Sequence, residues 1–395
     1  MYRPVLARSR THLANLLRAR GKQAEAEQLY RQALSVQEKR VAEFPVVAGG
    51  RRDLADSYHG LGIVLAELRK PQEAETAFRQ ALDLRKKLAD DFPKVLLYRR
   101  GLAAGHNDLG TLLRRQSKYV DAEGAFRQAI NLREKLVAEV GDVPRYYQEL
   151  AHSYENLGMV LAELRKPEEA ETSFRQALSH RAKLADDSPT VAEYRLELAT
   201  TRFHLGNLFR LQRRLDQALP WYDQALVLLQ PLHQQQPNDA ATRELLGRTH
   251  WGRAQSLDAL KRSAEALADW DQAVELVPPA DRLGVQLLRA QARARAGKVA
   301  EAVADAEALT KDAATPSARC CDAACVFSLA SAAAQEAGQR EAYAVQALTC
   351  SPCGGTPAAT TASSMSGAVS SFPALPSRMG PAALGAALAM LAPSR

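Results

Sequence analysis

Three arginines, Arg18, Arg114 and Arg210, stand 96 residues apart. A guanidinium can hold a carboxylate through two parallel hydrogen bonds, so arginines repeated at a fixed interval form a ladder suited to acidic side chains or a terminal carboxylate. The alternative is that they are solvated arginines on helix surfaces, the ordinary place for such charge. Other chemistry has less support. The eight histidines are scattered over different phases of the chain, and none forms an i, i+4 pair with a carboxylate on one helix. Cys320, Cys321, Cys325, Cys350 and Cys353 include one Cys-x2-Cys, half of a tetrahedral zinc site. The first three lie in an Ala-rich stretch where cysteine serves as a small apolar residue, so no metal and no cofactor is expected.

The interval of 96 is two periods of 48. Leu6, Leu54, Leu102, Leu150, Leu198 and Leu246 follow one another at that step, and Gly62, Gly110, Gly158 and Gly206 come eight residues after their leucines. Tyr30, Phe78, Phe126, Phe174, Tyr222 and Trp270 form an aromatic column, each followed three residues later by an alanine, from Ala33 to Ala273. Repetition at this length is the mark of a stacked-repeat architecture. The longest copy runs from Glu67 to Pro93 and returns from Glu163 to Pro189 with 21 of 27 residues unchanged, so duplication of a two-unit block is inferred.

Within a unit the apolar spacing is helical. Leu54, Tyr58, Leu61 and Leu65 line one face of a first helix, and Ala74, Phe78, Ala81 and Leu82 line one face of a second. Between them Pro71 suits the first turn of the second helix, where its missing N–H has no intrahelical partner. Pro45, Pro93, Pro189 and Pro237, again in phase, end the second helix. Each unit is thus a helical hairpin and the class is all-α. After residue 280 the step shortens, Ala264-Glu265-Ala266 matching Ala300-Glu301-Ala302 at 36. The expected organisation is six long hairpins over 2–280, a shorter hairpin with closing helices over 281–349, and a disordered Ser/Thr/Pro/Gly/Ala tail over 350–395, for which a shifted reading frame is an option.

Net charge is +7, but acids and bases are mixed along the chain and residues 350–395 add two arginines and no acid. That mild excess argues against a dedicated phosphate-binding face. No apolar run reaches the ~18 residues a membrane-spanning helix needs. The Arg-rich start superficially suits a transit peptide, but it is in phase with the first hairpin. Because Tyr2 already occupies the first phased position, a preceding portion of protein is expected. All five cysteines lie after residue 319, which suits a reducing compartment, and a cytoplasmic location is expected.

Leu61-Gly62, Ala74, Phe78 and Ala81 stand at the spacing of the tetratricopeptide repeat, and residues 2–349 resemble that family, with a step of 48 in place of its usual ~34. The resemblance implies a right-handed α-solenoid of stacked antiparallel hairpins whose first helices line a concave wall. The small-residue helix at 319–338 resembles the C-terminal repeat regions of planctomycete-type bacterial serine/threonine kinases and their free-standing relatives. The kinase itself is absent, since there is no Gly-rich loop, no HRD catalytic loop and no DFG.

On the wall positions the family uses, the chain places Arg18, Arg114 and Arg210 at one level, Asn15 and Asn207 at a second, and His59, Asn107, Glu155, Phe203 and Trp251 at a third. Phe203 and Trp251 are apolar anchors or packing beneath the next hairpin. The resemblance implies a non-catalytic scaffold that binds protein or peptide segments, acidic ones among them, with no nucleic acid and no membrane. Its rivals are a detached regulatory or recruiting region of a serine/threonine kinase signalling complex, and an RNA-binding helical repeat.

Overall fold

The hairpins follow from the phased columns. In the computed structural model, residues 3–310 and 317–349 are described, and all their regular structure is helical. The tail expected over 350–395, with Cys350 and Cys353, lies outside the described residues. The chain divides into two compact units, Met1–Pro189 and Thr190–Arg395, a border between the fourth and fifth hairpins. The first unit holds α1 (Arg3–Ala19), α2 (Gln23–Glu43), α3 (Ala48–Glu67), α4 (Pro71–Asp91), α5 (Leu96–Arg115), α6 (Tyr119–Val140), α7 (Pro144–Glu163) and α8 (Pro167–Asp187). The second holds α9 (Ala192–Leu211), α10 (Leu215–Gln235), α11 (Ala240–Ala259) and α12 (Ser263–Leu276). It continues with α13 (Pro279–Arg295), α14 (Val299–Thr310), α15 (Ser317–Ala333) and α16 (Ala337–Thr349).

Within each unit every odd-numbered helix packs on the even-numbered one after it, and each hairpin stacks on its neighbour. This is an α-solenoid built of helical hairpins. Helices α2 to α11 run 20 to 22 residues, about 30 Å at ~1.5 Å per residue. From α12 onward they shorten to between 12 and 17, where the period falls to 36. Pro71 and Pro167 open α4 and α8, as their N–H deficit allows.

The core is the columns. Tyr30, Phe126, Tyr222 and Trp270 are almost fully buried, and so are the alanines three residues on. In the four middle hairpins the ring rests on a glycine of its own hairpin's first helix, while Ala14 and Ala254 hold that position in the hairpins of Tyr30 and Trp270. A methyl group on Gly62, Gly110, Gly158 or Gly206 would lie 2.8–3.0 Å from the ring of Phe78, Phe126, Phe174 or Tyr222. That is closer than carbon atoms approach, so the glycine lets the helices touch and the ring fills the space gained.

The turns inside the hairpins form a further column. Gly21, Arg69, Ser117, Arg165, Arg213 and Lys261, 48 apart, and Gly297 all have φ between 58° and 81°. The next N–H, that of Lys70 for instance, reaches back to Leu65 O, and Arg69 N reaches Ala66 O, closing a Schellman cap. Five of these seven left-handed positions carry a side chain, at a cost of about 1–2 kcal/mol each.

Gly158→Ala should destabilise the first unit by about 1–3 kcal/mol, the range for overpacking a filled core. Gly124→Ala on α6, where a methyl group meets nothing within 4 Å, should stabilise by about 0.5–1 kcal/mol through helix propensity alone. Urea denaturation of both variants beside the parent checks the opposite signs.

Candidate functional site

The first helices of the first unit, α1, α3, α5 and α7, are joined side by side by polar contacts that share one register. Arg18 Nη1 donates to Glu67 Oε1 at 3.0 Å, and Arg114 Nη1 to Glu163 Oε1 at 3.2 Å. His59 Nε2 meets Asp108 Oδ2 at 2.7 Å and Arg100 Nε donates to Glu149 Oε1 at 2.8 Å. Each pair spans 49 residues, one period and one position. The two arginine levels are therefore neutralised by the next hairpin. Burial raises the Glu163 carboxyl above its ordinary value, with Arg114 opposing.

The third arginine differs. Position 259, which corresponds to Glu67 and Glu163, is Ala259. Arg210 has only neutral neighbours within hydrogen-bond reach, Nε donating to the Tyr222 hydroxyl at 3.3 Å and Nη2 to Asn207 Oδ1 at 3.4 Å. Among the described residues it has no ion pair. In the following hairpin the rung is reversed, with Asp258 carrying the negative charge and Arg295 Nη1 3.6 Å away. There the interval is 37, again one shortened period and one position.

The asparagines have a different partner from the one the wall reading supplies. Tyr30 donates its hydroxyl to Asn15 Oδ1, and Tyr222 to Asn207 Oδ1 at 2.9 Å. Gly60 and Gly252, each thirty residues after its tyrosine, leave room for the same rings from the next hairpin. Hairpins with Phe at this position have neither the asparagine nor that glycine. Asn15 and Asn207 therefore satisfy buried hydroxyls, which would otherwise stay unpaired.

At the third level the side chains divide. Asn107 is buried, its Oδ1 accepting from Ser153 Oγ and Asn156 Nδ2, both at 3.2 Å. Glu155 is buried too and grips Arg181 with both oxygens, at 2.6 and 2.9 Å. These two face neighbouring helices and not solvent. His59 is half-buried, its ring edge-on to Phe78. Phe203 is half-buried with its ring tilted against Tyr222. Trp251 is also half-buried and packs on the cluster around Trp270 and Val285, while its indole N–H is shielded without a hydrogen-bond partner among the described residues. Helices α9 and α11, which carry Arg210, Phe203 and Trp251, are in contact.

A second network runs over the even-numbered helices. Lys70, Lys118 and Lys166 follow the left-handed turn residues and reach back to Glu27, Glu75 and Glu123, which also hold Arg31, Arg79 and Arg127 one turn on. Lys118 and Arg79 outweigh burial at Glu75 and hold its carboxyl low. The sequence carries this column plainly, a base at every forty-eighth position from Lys22 to Arg262, outside the wall positions. Cys325 is exposed on α15.

With this geometry in hand, comparison with known proteins decides the repeat type. The tetratricopeptide repeat family matches at residues 6–42, 54–93, 107–139, 150–189 and 201–239. The chain carries tetratricopeptide repeats. Among solved structures, BtubC (BKLC) from P. vanneervenii is 20% identical, covering 63% of this chain and 89% of its own, with a TM-score of 0.49. PilF of Pseudomonas aeruginosa is 19% identical over 71% of this chain and 95% of its own, at a TM-score of 0.41. A putative kinesin light chain from Podosopora anserina with nearly identical TPR-like repeats is 18% identical over 60% and 99%, at 0.44. At this degree of likeness neither partner nor activity transfers. No curated protein matches the chain. No helix among the described residues is long and apolar enough to cross a membrane.

Glu155→Ala should lower stability by about 3–5 kcal/mol, because the buried Arg181 guanidinium then loses the carboxylate that holds it through two hydrogen bonds. Arg18→Ala, at an exposed tetratricopeptide rung, should cost no more than about 1 kcal/mol. Chemical denaturation distinguishes the two. Burial holds His106 below the ordinary imidazole value with help from Lys86, and does the same to His180, where Glu134 opposes and Lys183 assists. The unfolded chain therefore takes up protons first. The stability these groups contribute is complete above about pH 6.5 and is lost as pH falls below it through their folded values. Between about pH 7.5 and 5.5 the parent should lose more in Tm than a His106→Gln, His180→Gln variant.

Proposed function

We propose that the chain is a non-catalytic scaffold that binds peptide segments or proteins on the wall formed by its first helices, with Arg210 as the anchor for an acidic group. The observation that carries this is the missing carboxylate at Ala259. Arg18 and Arg114 are neutralised from within, by Glu67 and Glu163, whereas Arg210 has no counterion among the described residues and shares its wall with half-buried Phe203, two turns away on α9, and Trp251 on α11. A guanidinium without a counterion suits a carboxylate, and half-buried aromatic side chains further along the same wall suit an apolar residue of the same ligand. Helices that are already packed require little ordering when a ligand arrives, which keeps the cost of association low.

The reading includes a cytoplasmic location, in keeping with cysteines confined to the end of the chain. Attachment to a serine/threonine kinase complex would rest on the resemblance of the region after residue 280 alone. RNA binding has less support, because Arg31, Arg79, Arg100 and Arg127 are each held by glutamates and are not free to release counterions from phosphates.

Selection from a random peptide library should return sequences with an acidic residue or free C-terminal carboxylate beside an apolar one. Arg210→Ala should weaken a selected peptide about tenfold or more, ~1.4 kcal/mol, while Arg18→Ala with Arg114→Ala leaves it unchanged. The reverse pattern would remove Arg210 from the reading.

A further inference from the structure

In the sixth hairpin a cleft of about 250 Å³ opens between α10, α11 and α12. A cavity of ~150 Å³ is already enough for a benzene ring. Leu219 and Leu257 are its apolar lining, and the charged residues around it are Asp223, Arg253, Arg262, Glu265 and Asp269.

Earlier hairpins bridge the equivalent place in one of two ways. In the second to fourth, the base of the turn crosses to a glutamate of the preceding helix, Lys70 to Glu27, Lys118 to Glu75 and Lys166 to Glu123. In the fifth, Phe209 and Trp221 stack with their planes 3° apart, and the Arg214 guanidinium lies over the Phe209 ring, 4.4 Å from its centre. The sixth hairpin has lost both devices. By register its glutamate position is Leu219, and Leu257 and Asp269 stand where Phe209 and Trp221 were. Arg262, the counterpart of Arg214, turns instead to Glu265 on its own helix, with both side chains exposed. Such exposed pairs hold their members weakly, so the guanidinium is available to a better partner.

Electrostatics narrow the choice of occupant. Buried Asp269 meets His250 Nδ1 at 2.6 Å and accepts from Arg253 at 2.7 and 2.8 Å, and Arg253 Nη1 also donates to Asp223 Oδ1 at 2.6 Å. Three carboxylates thus face two guanidiniums around the cleft, which offers an anion no excess of positive charge. The second oxygen of Asp223 has no partner among the described residues and is left to accept from a ligand. A ring placed between Leu257 and Arg262 would restore from outside the contact that Phe209 and Arg214 make from within, because a guanidinium is attracted to an aromatic face. Among side chains, tryptophan combines the strongest such face with an N–H donor.

We propose that this cleft takes a tryptophan side chain of a partner segment, its ring between Leu257 and Arg262 and its indole N–H on Asp223. The site shares no residue with the surroundings of Arg210, and the two readings are tested separately.

The probe is N-acetyl-tryptophanamide, titrated against the full chain and followed by saturation-transfer NMR on its ring protons. Binding should saturate, and N-acetyl-leucinamide should not displace it. Leu257→Phe, which fills the cleft as Phe209 fills its own place, should weaken binding about tenfold or more. Leu219→Glu should also weaken it, by giving Arg262 the glutamate that its earlier counterparts have. Asp223→Ala should narrow the preference for this probe over N-acetyl-phenylalaninamide. Unchanged helical circular dichroism verifies each variant, and Arg210→Ala should change nothing. Absence of saturable binding, indifference to Leu257→Phe, or equal sensitivity to Arg210→Ala overturns the proposal. So does binding of tryptamine tighter by about tenfold or more, ~1.4 kcal/mol, because the occupant would then be a free aromatic amine.

Discussion

Between the two helices of four successive hairpins an aromatic ring lies where a side chain on the opposing glycine would have to be. The contact is steric before it is anything else: with Gly62, Gly110, Gly158 and Gly206 reduced to hydrogen, Phe78, Phe126, Phe174 and Tyr222 lie flush on the first helix. The interhelical distance set by that contact goes with full burial of the alanines of the second helices. Everything else in the tetratricopeptide array is arranged around a spacing that a single methyl group would disturb. Hydroxyl-bearing rings need more room, and the chain supplies it as a set, with Asn15 and Gly60 around Tyr30 and Asn207 and Gly252 around Tyr222.

Stacking then places charge. Because neighbouring first helices are offset by one position per hairpin, a base in one helix meets an acid 49 residues later, and the wall neutralises most of its own ions. Exposed pairs of this kind contribute little to stability individually. Their larger effect is on recognition. A neutralised arginine offers a ligand carboxylate only an exchange of partners, whereas an arginine without a counterion offers it a net gain.

Most of the fold was legible in the sequence because its period is steric and strict. Leucine, glycine, aromatic and alanine columns each exclude most substitutes, so they survive as visible repetition. The left-handed turns were not legible. Arg69, Ser117, Arg165, Arg213 and Lys261 adopt a backbone that glycine would announce, yet the two hydrogen bonds of the cap and the packing around it tolerate a side chain. The partners of the wall residues were not legible. Arg18 and Arg210 look identical in the sequence, and the difference between them lies one period and one residue away, at Glu67 and Ala259. Asn107 and Glu155 occupy wall phases too, but their side chains turn inward to Ser153, Asn156 and Arg181, a rotamer choice that periodicity does not encode.

The arginine rungs have a consequence for how such an array grows. Arg18 closes on Glu67 and Arg114 on Glu163, so in this column the charges cancel inside a block of two hairpins and nothing is owed to the block before or after. In this column a 96-residue block is thus electrically closed, although His59–Asp108 and Lys118–Glu75 cross from one block to the next. It can be copied whole, lengthening the stack while leaving this column's existing pairs undisturbed, and a copy that later loses its glutamate acquires a new charged position without dismantling the older ones.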